Sequence, residues 1–203
     1  MFKPRVARRS LERYRKQGLH ELERRMVASA SAGGLEDVRV LEIGGGIGTI
    51  QSELLNAGAA QGEVVELVPA WEPYARELAR ESGQEERSSF RVADVLEDPD
   101  AVEPADVVVL HRVVCCSLDG VALTSAAARL AQRTLVLSFP RNVLLVRTGV
   151  RVMNAGLGLM RRSFRVFVHR PAALAAAAEA EGLHLADSGH GRVWEFAAFR
   201  RAG

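Results

Sequence analysis

The sequence predicts an α/β fold, a mostly parallel seven-stranded sheet covered by helices on both faces. Three observations predict it. Apolar runs of strand length alternate with amphipathic stretches of helix length. A run of glycines follows the first apolar run, as where a buried parallel strand turns into a helix. The last two apolar runs have no helix between them, which predicts an antiparallel hairpin at one sheet edge. An N-terminal helical cap over residues 1–35 and an inserted helical lid over 141–170 complete one expected domain spanning 1–203.

Each element has its own signal. Leu11, Tyr14, Leu19, Leu22, Met26 and Val27 recur at helical spacing through 10–30. Gly18 weakens the middle of that stretch and allows two shorter helices. Val38–Ile43 is a short buried strand, and 47–57 is a helix with Ile47, Ile50, Leu54 and Leu55 on one side. Glu63–Val68 is the second strand. Pro69 opens a helix whose apolar face is Trp71, Tyr74, Ala75 and Leu78. Ser89–Val92 and Ala105–Leu110 are the third and fourth strands, and alanine-rich 121–131 is a helix. Thr134–Phe139 is the fifth strand, stopped by Pro140. An apolar, arginine-bearing stretch follows over 143–160, then a helix from Pro171 to Glu181. Residues 183–188 and 193–199 are the closing strands.

The bulk numbers narrow the class. In a chain of 203 residues, 48% are hydrophobic, enough to build a real core. The two cysteines, Cys115 and Cys116, are adjacent and cannot staple distant segments, and no metal-ligand spacing surrounds them. No apolar segment follows the basic start, and no run of 18 apolar residues exists, so a cytoplasmic protein is expected. The net charge of +2 hides a strong asymmetry. Residues 1–25 carry nine Lys/Arg against three Glu, and 141–170 carry seven Arg and no acid. The rest of the chain is acidic.

The glycine run carries the most specific signal. Glu42-x-Gly44-Gly45-Gly46-x-Gly48 ends the first strand, and Thr49 stands where a dinucleotide fingerprint would place its third glycine. Such glycines let a backbone turn tightly and approach a ligand, while the following helix offers free N–H groups. Acids then follow the next two strands: Glu66, beside Leu67, and Asp94, between Ala93 and Val95. This series resembles the cofactor motifs of class I S-adenosylmethionine (SAM)-dependent methyltransferases. The resemblance implies a Rossmann-like fold and SAM as cofactor, with S-adenosylhomocysteine (SAH) as its product. It places Glu42 near the methionine amino group, the backbone of Gly44, Gly45, Gly46 and Gly48 against the nucleoside and amino-acid parts of SAM, and Glu66 on both ribose hydroxyls. Asp94 falls on the adenine amino group, with Ala93 and Val95 flanking the ring.

His111, Arg112, Cys115 and Cys116 follow the fourth strand, at the carboxyl end where open parallel sheets bind ligands. His111 is a candidate base or a wall of the methionine site. The cysteines read as a thiol pair or as small buried hydrophobes. The Asn/Asp-Pro-Pro-aromatic motif of many amino-methyltransferases is absent, which argues against DNA-adenine or protein-glutamine methylation. Residues 141–163 alternate leucine, valine and methionine with Arg147, Arg151, Arg161 and Arg162. An acidic acceptor with an apolar body suits that stretch, with Arg147 and Arg151 binding it. So does an amphipathic helix resting on anionic lipid, or a core helix with snorkelling arginines. With aromatics at 5%, no stacking platform for nucleic acid is expected.

Tyr14 ahead of Gly18-Leu19, Ser138-Phe139-Pro140 after strand five, and the inserted segment are similar to the layout of magnesium-protoporphyrin O-methyltransferases. That likeness implies a catalytic role for Tyr14 and methylation of a carboxylate on an apolar body. The family's histidine after strand four falls near Cys115 here, so a different, small acceptor is expected. The function implied is methyl transfer to an oxygen of an anionic, partly apolar metabolite. The rivals are an NAD-type oxidoreductase and a non-catalytic protein that keeps a SAM fold.

Overall fold

The computed structural model describes residues 4–202. The basic start at Met1–Lys3 and the final Gly203 lie outside the described residues.

The N-terminal stretch is two helices, α1 (Pro4–Gln17) and α2 (Glu21–Ser31). Gly18 separates them in the left-handed region at φ 61°, and its N–H closes α1 on the Tyr14 carbonyl at 2.8 Å. Helix α1 starts earlier than expected because its early turns are amphipathic too, burying Ala7 as well as Leu11. Strands and helices then alternate: β1 (Arg39–Ile43), α3 (Thr49–Asn56), β2 (Gln61–Glu66), α4 (Glu72–Glu81), β3 (Ser88–Val92), β4 (Ala105–His111), α5 (Gly120–Leu130), β5 (Ala131–Pro140). After β5 come α6 (Leu144–Leu159), α7 (Pro171–Ala180), β6 (Leu183–His190) and β7 (Trp194–Arg201).

The seven strands form one sheet in the order β3-β2-β1-β4-β5-β7-β6. The first five are parallel, and β7 runs antiparallel to both β5 and β6. The expected hairpin is therefore inserted with β7 inward, beside β5. Strand order reverses between β1 and β4, so their carboxyl ends flank the crevice where such sheets bind ligands.

Both faces are covered, which is why the central strands are apolar throughout instead of alternating. Leu41, Val108, Leu110, Leu135, Leu137 and Phe199 pack on one side with Leu174 of α7 and the alanines of α5. Val40, Val107, Val109, Val136 and Phe196 pack on the other with Met26 of α2 and Ile50 and Leu54 of α3. A third, smaller cluster of Leu11, Ile47 and Leu78, joined by Tyr14, Trp71 and Tyr74, ties α1 to the loop after β1. The buried Glu63 in β2 is neutralised by Arg39 and Arg91 from its two neighbouring strands, each at 2.6 Å.

Two boundaries differ from expectation for a local reason. Strand β2 stops at Glu66 instead of Val68 because the Glu66 carboxylate takes the N–H groups of Leu67 (2.9 Å) and Val68 (3.2 Å). Those amides then cannot join a ladder. Helix α3 begins at Thr49, two residues late, because Gly48 precedes it in a left-handed conformation. Among the described residues, no helix is long and apolar enough to cross a membrane.

Candidate functional site

The glycine loop is held from below and from both sides. Gly44 sits at φ 64°, its N–H donating to the Val65 carbonyl at 2.6 Å. A Cβ built on Gly44 would stand 2.5 Å from Val113, on the loop after β4. Gly46, at φ 60°, has the Trp71 ring against its α-carbon and donates its N–H to Glu66 Oε2 at 3.1 Å. Gly45 leaves room for the Glu42 carboxylate, and Gly48 for Val64. The loop therefore needs glycine for its own packing as well as for any ligand.

Three carboxylates gather here. Glu42 is fully buried, and its Oε2 accepts the Gln51 N–H at 2.8 Å. Burial pushes its carboxyl up to about 8, against that hydrogen bond, and the nearby Glu23 and Glu66 add to the rise. Glu66 is also raised by burial, opposed by the backbone N–H groups of Gly46, Val68 and Leu67. Glu23, on α2, was not singled out by the sequence. Its carboxylate accepts His20 N–H at 2.7 Å and lies 3.1 Å from His111 Nε2. Burial works against its ionisation, but those hydrogen bonds outweigh burial and hold it at about 2. A sequence signal for the first contact existed, since His20-x-x-Glu23 has capping-box spacing; nothing local revealed the second.

His111 is engaged at both nitrogens. Its Nδ1 lies 2.9 Å from Ser138 Oγ on β5, and Ser138 Oγ also accepts the Arg112 N–H at 3.0 Å. Burial lowers the affinity of His111 for a second proton despite the Glu23 contact. The consistent assignment is a neutral ring whose Nε2–H donates to Glu23 and whose Nδ1 accepts from Ser138. Held this way, His111 positions the β4 rim and has no free lone pair for use as a base. Tyr14 donates to Glu53 Oε1 at 2.7 Å. Burial, and then that carboxylate, raise its phenol well above the ordinary value. It is a neutral donor, not a phenolate.

Arg112 lies between these groups. Its backbone is left-handed at φ 58°, a conformation that is costly for a residue with a Cβ. Its guanidinium stacks over the Trp194 ring at 4.9 Å, and its Nε is buried without a hydrogen-bond partner among the described residues. The adenine-side residues are less enclosed. Asp94 Oδ1 accepts the Leu96 N–H at 2.9 Å, and Ala93 donates to the Glu66 carbonyl at 3.3 Å, joining the two strand ends. Leu67 and Leu96 are the exposed apolar side chains there. Val95, the residue after Asp94, is buried and packs in the main core. Cys115 is buried and Cys116 exposed, both as free thiols. Arg147 and Arg151 are exposed on α6.

A scan of protein-family models and a search of curated proteins gave no match. Solved structures do match. Magnesium protoporphyrin IX methyltransferase from Synechocystis, solved with SAH, superposes with a TM-score of 0.71 at 21% identity, covering 89% of this chain and 83% of that one. A TehB-like SAM-dependent methyltransferase from Corynebacterium glutamicum gives 0.66 at 16% identity, over 98% of this chain and 100% of the other. An O-methyltransferase family 2 protein from Planctomyces limnophilus, in complex with apigenin, gives 0.72 at 16% identity, over 100% of this chain and 62% of that one. The sheet order, the glycine loop at its switch point and these superpositions give the chain the fold of class I SAM-dependent methyltransferases.

Proposed function

We propose that this chain is a methyltransferase that binds SAM at the glycine loop and methylates an oxygen of a small, anionic and partly apolar molecule. The observation that carries the proposal is the cluster of Glu23, Glu42 and Glu66 around a loop of left-handed glycines. Such a site suits a ligand with cationic groups. A ligand cation would draw the buried Glu42, protonated in the free chain, into its charged form, which the pyrophosphate of a dinucleotide would not do. This supports SAM over NAD on physical grounds.

The residues present fit SAM. Glu42 would take its ammonium, Glu66 its ribose hydroxyls and Asp94 its adenine amino group, with Gly44 and Gly46 giving backbone access. When bound, SAM supplies an electrophilic methyl group on a sulfonium. The chain's own residues then have to align an acceptor and exclude water. Tyr14 caps the loop from α1, its hydroxyl proton held on Glu53 and its oxygen lone pairs left to accept. His111, through Ser138 and Glu23, keeps the β4 rim in place. Arg112 is the cation best placed to receive an acidic acceptor, since its strained backbone and stacked guanidinium hold it at the crevice. An acid already ionised at neutral pH needs no general base, which agrees with the absence of a free base at His111. A single domain acting in the cytoplasm is part of this reading.

Titration calorimetry with SAM and SAH is the direct test; no binding below millimolar would overturn the proposal. The pH dependence tests the role of Glu42. The folded chain keeps the Glu42 proton up to pH about 8, whereas the unfolded carboxyl loses it near the ordinary 4.5. Folding therefore takes up a proton between those limits, and stability that is full below 4.5 is lost as pH rises through about 8. A ligand ammonium reverses the preference, so binding releases the proton. SAH affinity is expected to rise with pH between 6 and 8, by at most about tenfold per unit. In Glu42→Gln it should be weak and flat; an unchanged slope in that variant would assign the proton elsewhere.

A further inference from the structure

Helix α6 has an outer face that none of the described residues covers. Of its sixteen residues only Val146 is buried, so it is not the core helix with snorkelling arginines that the sequence allowed. Leu145, Val152 and Leu159 are 83, 67 and 89% exposed, and they recur every seventh residue, which lines them along one side of the helix. Leu144, 76% exposed, widens the stripe, and Thr148, Gly149, Ala155 and Gly156 fill it with small side chains. Arg151 lies about 100° round the helix from Val152, Arg147 one turn before Arg151, and Arg161 and Arg162 follow the helix end.

The segment is nonetheless fixed in place. The Asn154 amide donates to the Val166 carbonyl at 2.7 Å and accepts its N–H at 3.0 Å. Phe167 donates to the Cys115 carbonyl at 2.7 Å, and His169 Nε2 donates to the Val114 carbonyl at 3.0 Å. These bonds anchor the insertion to the turn that leaves β4, beside Arg112. Arg13 of α1 is close enough to disfavour the charged forms of both His111 and Arg112. Both basic segments therefore meet the same end of the sheet as the glycine loop.

We infer that α6 docks on an anionic membrane surface, its leucine–valine stripe entering the headgroup boundary and its arginines meeting lipid phosphates. Charge selects this occupant. Residues 141–170 hold seven arginines and no acid, so a second copy would set like charges against each other. Nucleic acid would match the charge and leave the leucines in water. An anionic bilayer accepts both, as for interfacial helices with an apolar face and a cationic flank. Because the anchoring turn borders the candidate site, docking presents the crevice to the lipid side. The inference does not depend on methyl transfer.

The test is sedimentation of the full chain with vesicles of phosphatidylcholine alone or mixed with phosphatidylglycerol. Binding to the anionic vesicles should exceed binding to neutral ones and weaken as salt rises. The triple variant Leu145→Asp/Val152→Asp/Leu159→Asp should lose about tenfold or more, and Arg147→Glu/Arg151→Glu should lose about as much on anionic vesicles only. Val121→Asp, an exposed position on α5, should change nothing, and circular dichroism checks that every variant is folded. Equal binding to both vesicle types, or no binding, overturns the inference. So does concentration-dependent dimerisation abolished by the Asp variants, which would identify a second copy as the occupant. Retention on double-stranded DNA insensitive to the three Asp substitutions, without vesicle binding, would identify nucleic acid.

Discussion

Glu66→Ala is expected to weaken SAH binding by about 10²- to 10⁴-fold while leaving the fold almost unchanged. A carboxylate receiving two ribose hydroxyls makes two charge-assisted hydrogen bonds, each worth about 1.5–3 kcal/mol, and about 1.4 kcal/mol is one factor of ten in affinity. In the ligand-free chain the same carboxylate accepts the N–H groups of Gly46, Leu67 and Val68. The Leu67 and Val68 amides sit at the end of β2, where water replaces the lost acceptor, whereas the buried Gly46 amide on the glycine loop is left without its partner. The loss of stability is therefore about 1–3 kcal/mol, or roughly 2–12 °C in Tm for a chain of this size. Calorimetry and thermal melting on one preparation separate the two effects. Unchanged SAH affinity would remove Glu66 from the site; a large fall in Tm would make it a structural clamp.

The second large effect falls on stability. Gly44→Val places a branched side chain at φ 64° with its Cβ 2.5 Å from Val113 Cγ2 and 2.8 Å from Cγ1. The left-handed backbone costs a residue with a Cβ about 1–2 kcal/mol, and overpacking adds about 1–3 kcal/mol. Together these predict a loss of about 2–5 kcal/mol, read as a lower midpoint in chemical denaturation. Val113→Ala should recover the packing share and none of the backbone share, so the double variant should regain about half. A loss below about 1 kcal/mol in the single variant would mean that the loop yields easily. SAM binding should disappear in both variants, because Val113 and Gly44 set the spacing between the β1 and β4 rims.

Arg112 and His111 show how position and role separate. Their place after a buried strand at the switch point followed from the apolar run Val107–Leu110 and the turn behind it. Their state did not. The neutral ring of His111 depends on Glu23, 88 residues earlier, and on Ser138, 27 residues later. Neither pairing leaves a periodicity in the sequence, because each is made by elements that meet only when the sheet closes. Tyr14 is the same case: its partner Glu53 is on α3, 39 residues away.

The inserted segment illustrates the converse. Its composition of leucine, valine, methionine and arginine was plain, yet it left three readings open. Burial removed the core-helix reading, since Val146 is the one buried residue of α6. A hydrophobic pattern states which side chains avoid water; it does not say whether protein or another phase receives them.

The sequence by itself determined the alternation of strands and helices, the glycine turn after β1, the acids ending β2 and following β3, and the basic insertion after β5. These follow from local periodicity, backbone preference and charge, which neighbouring residues express without help from the rest of the chain. The tertiary structure alone decided that β7 lies between β5 and β6, that Val95 belongs to the core, that Glu23 joins the carboxylate cluster, and that the stripe on α6 faces outward. Each of these depends on which distant surfaces come together, and burial then sets protonation and exposure.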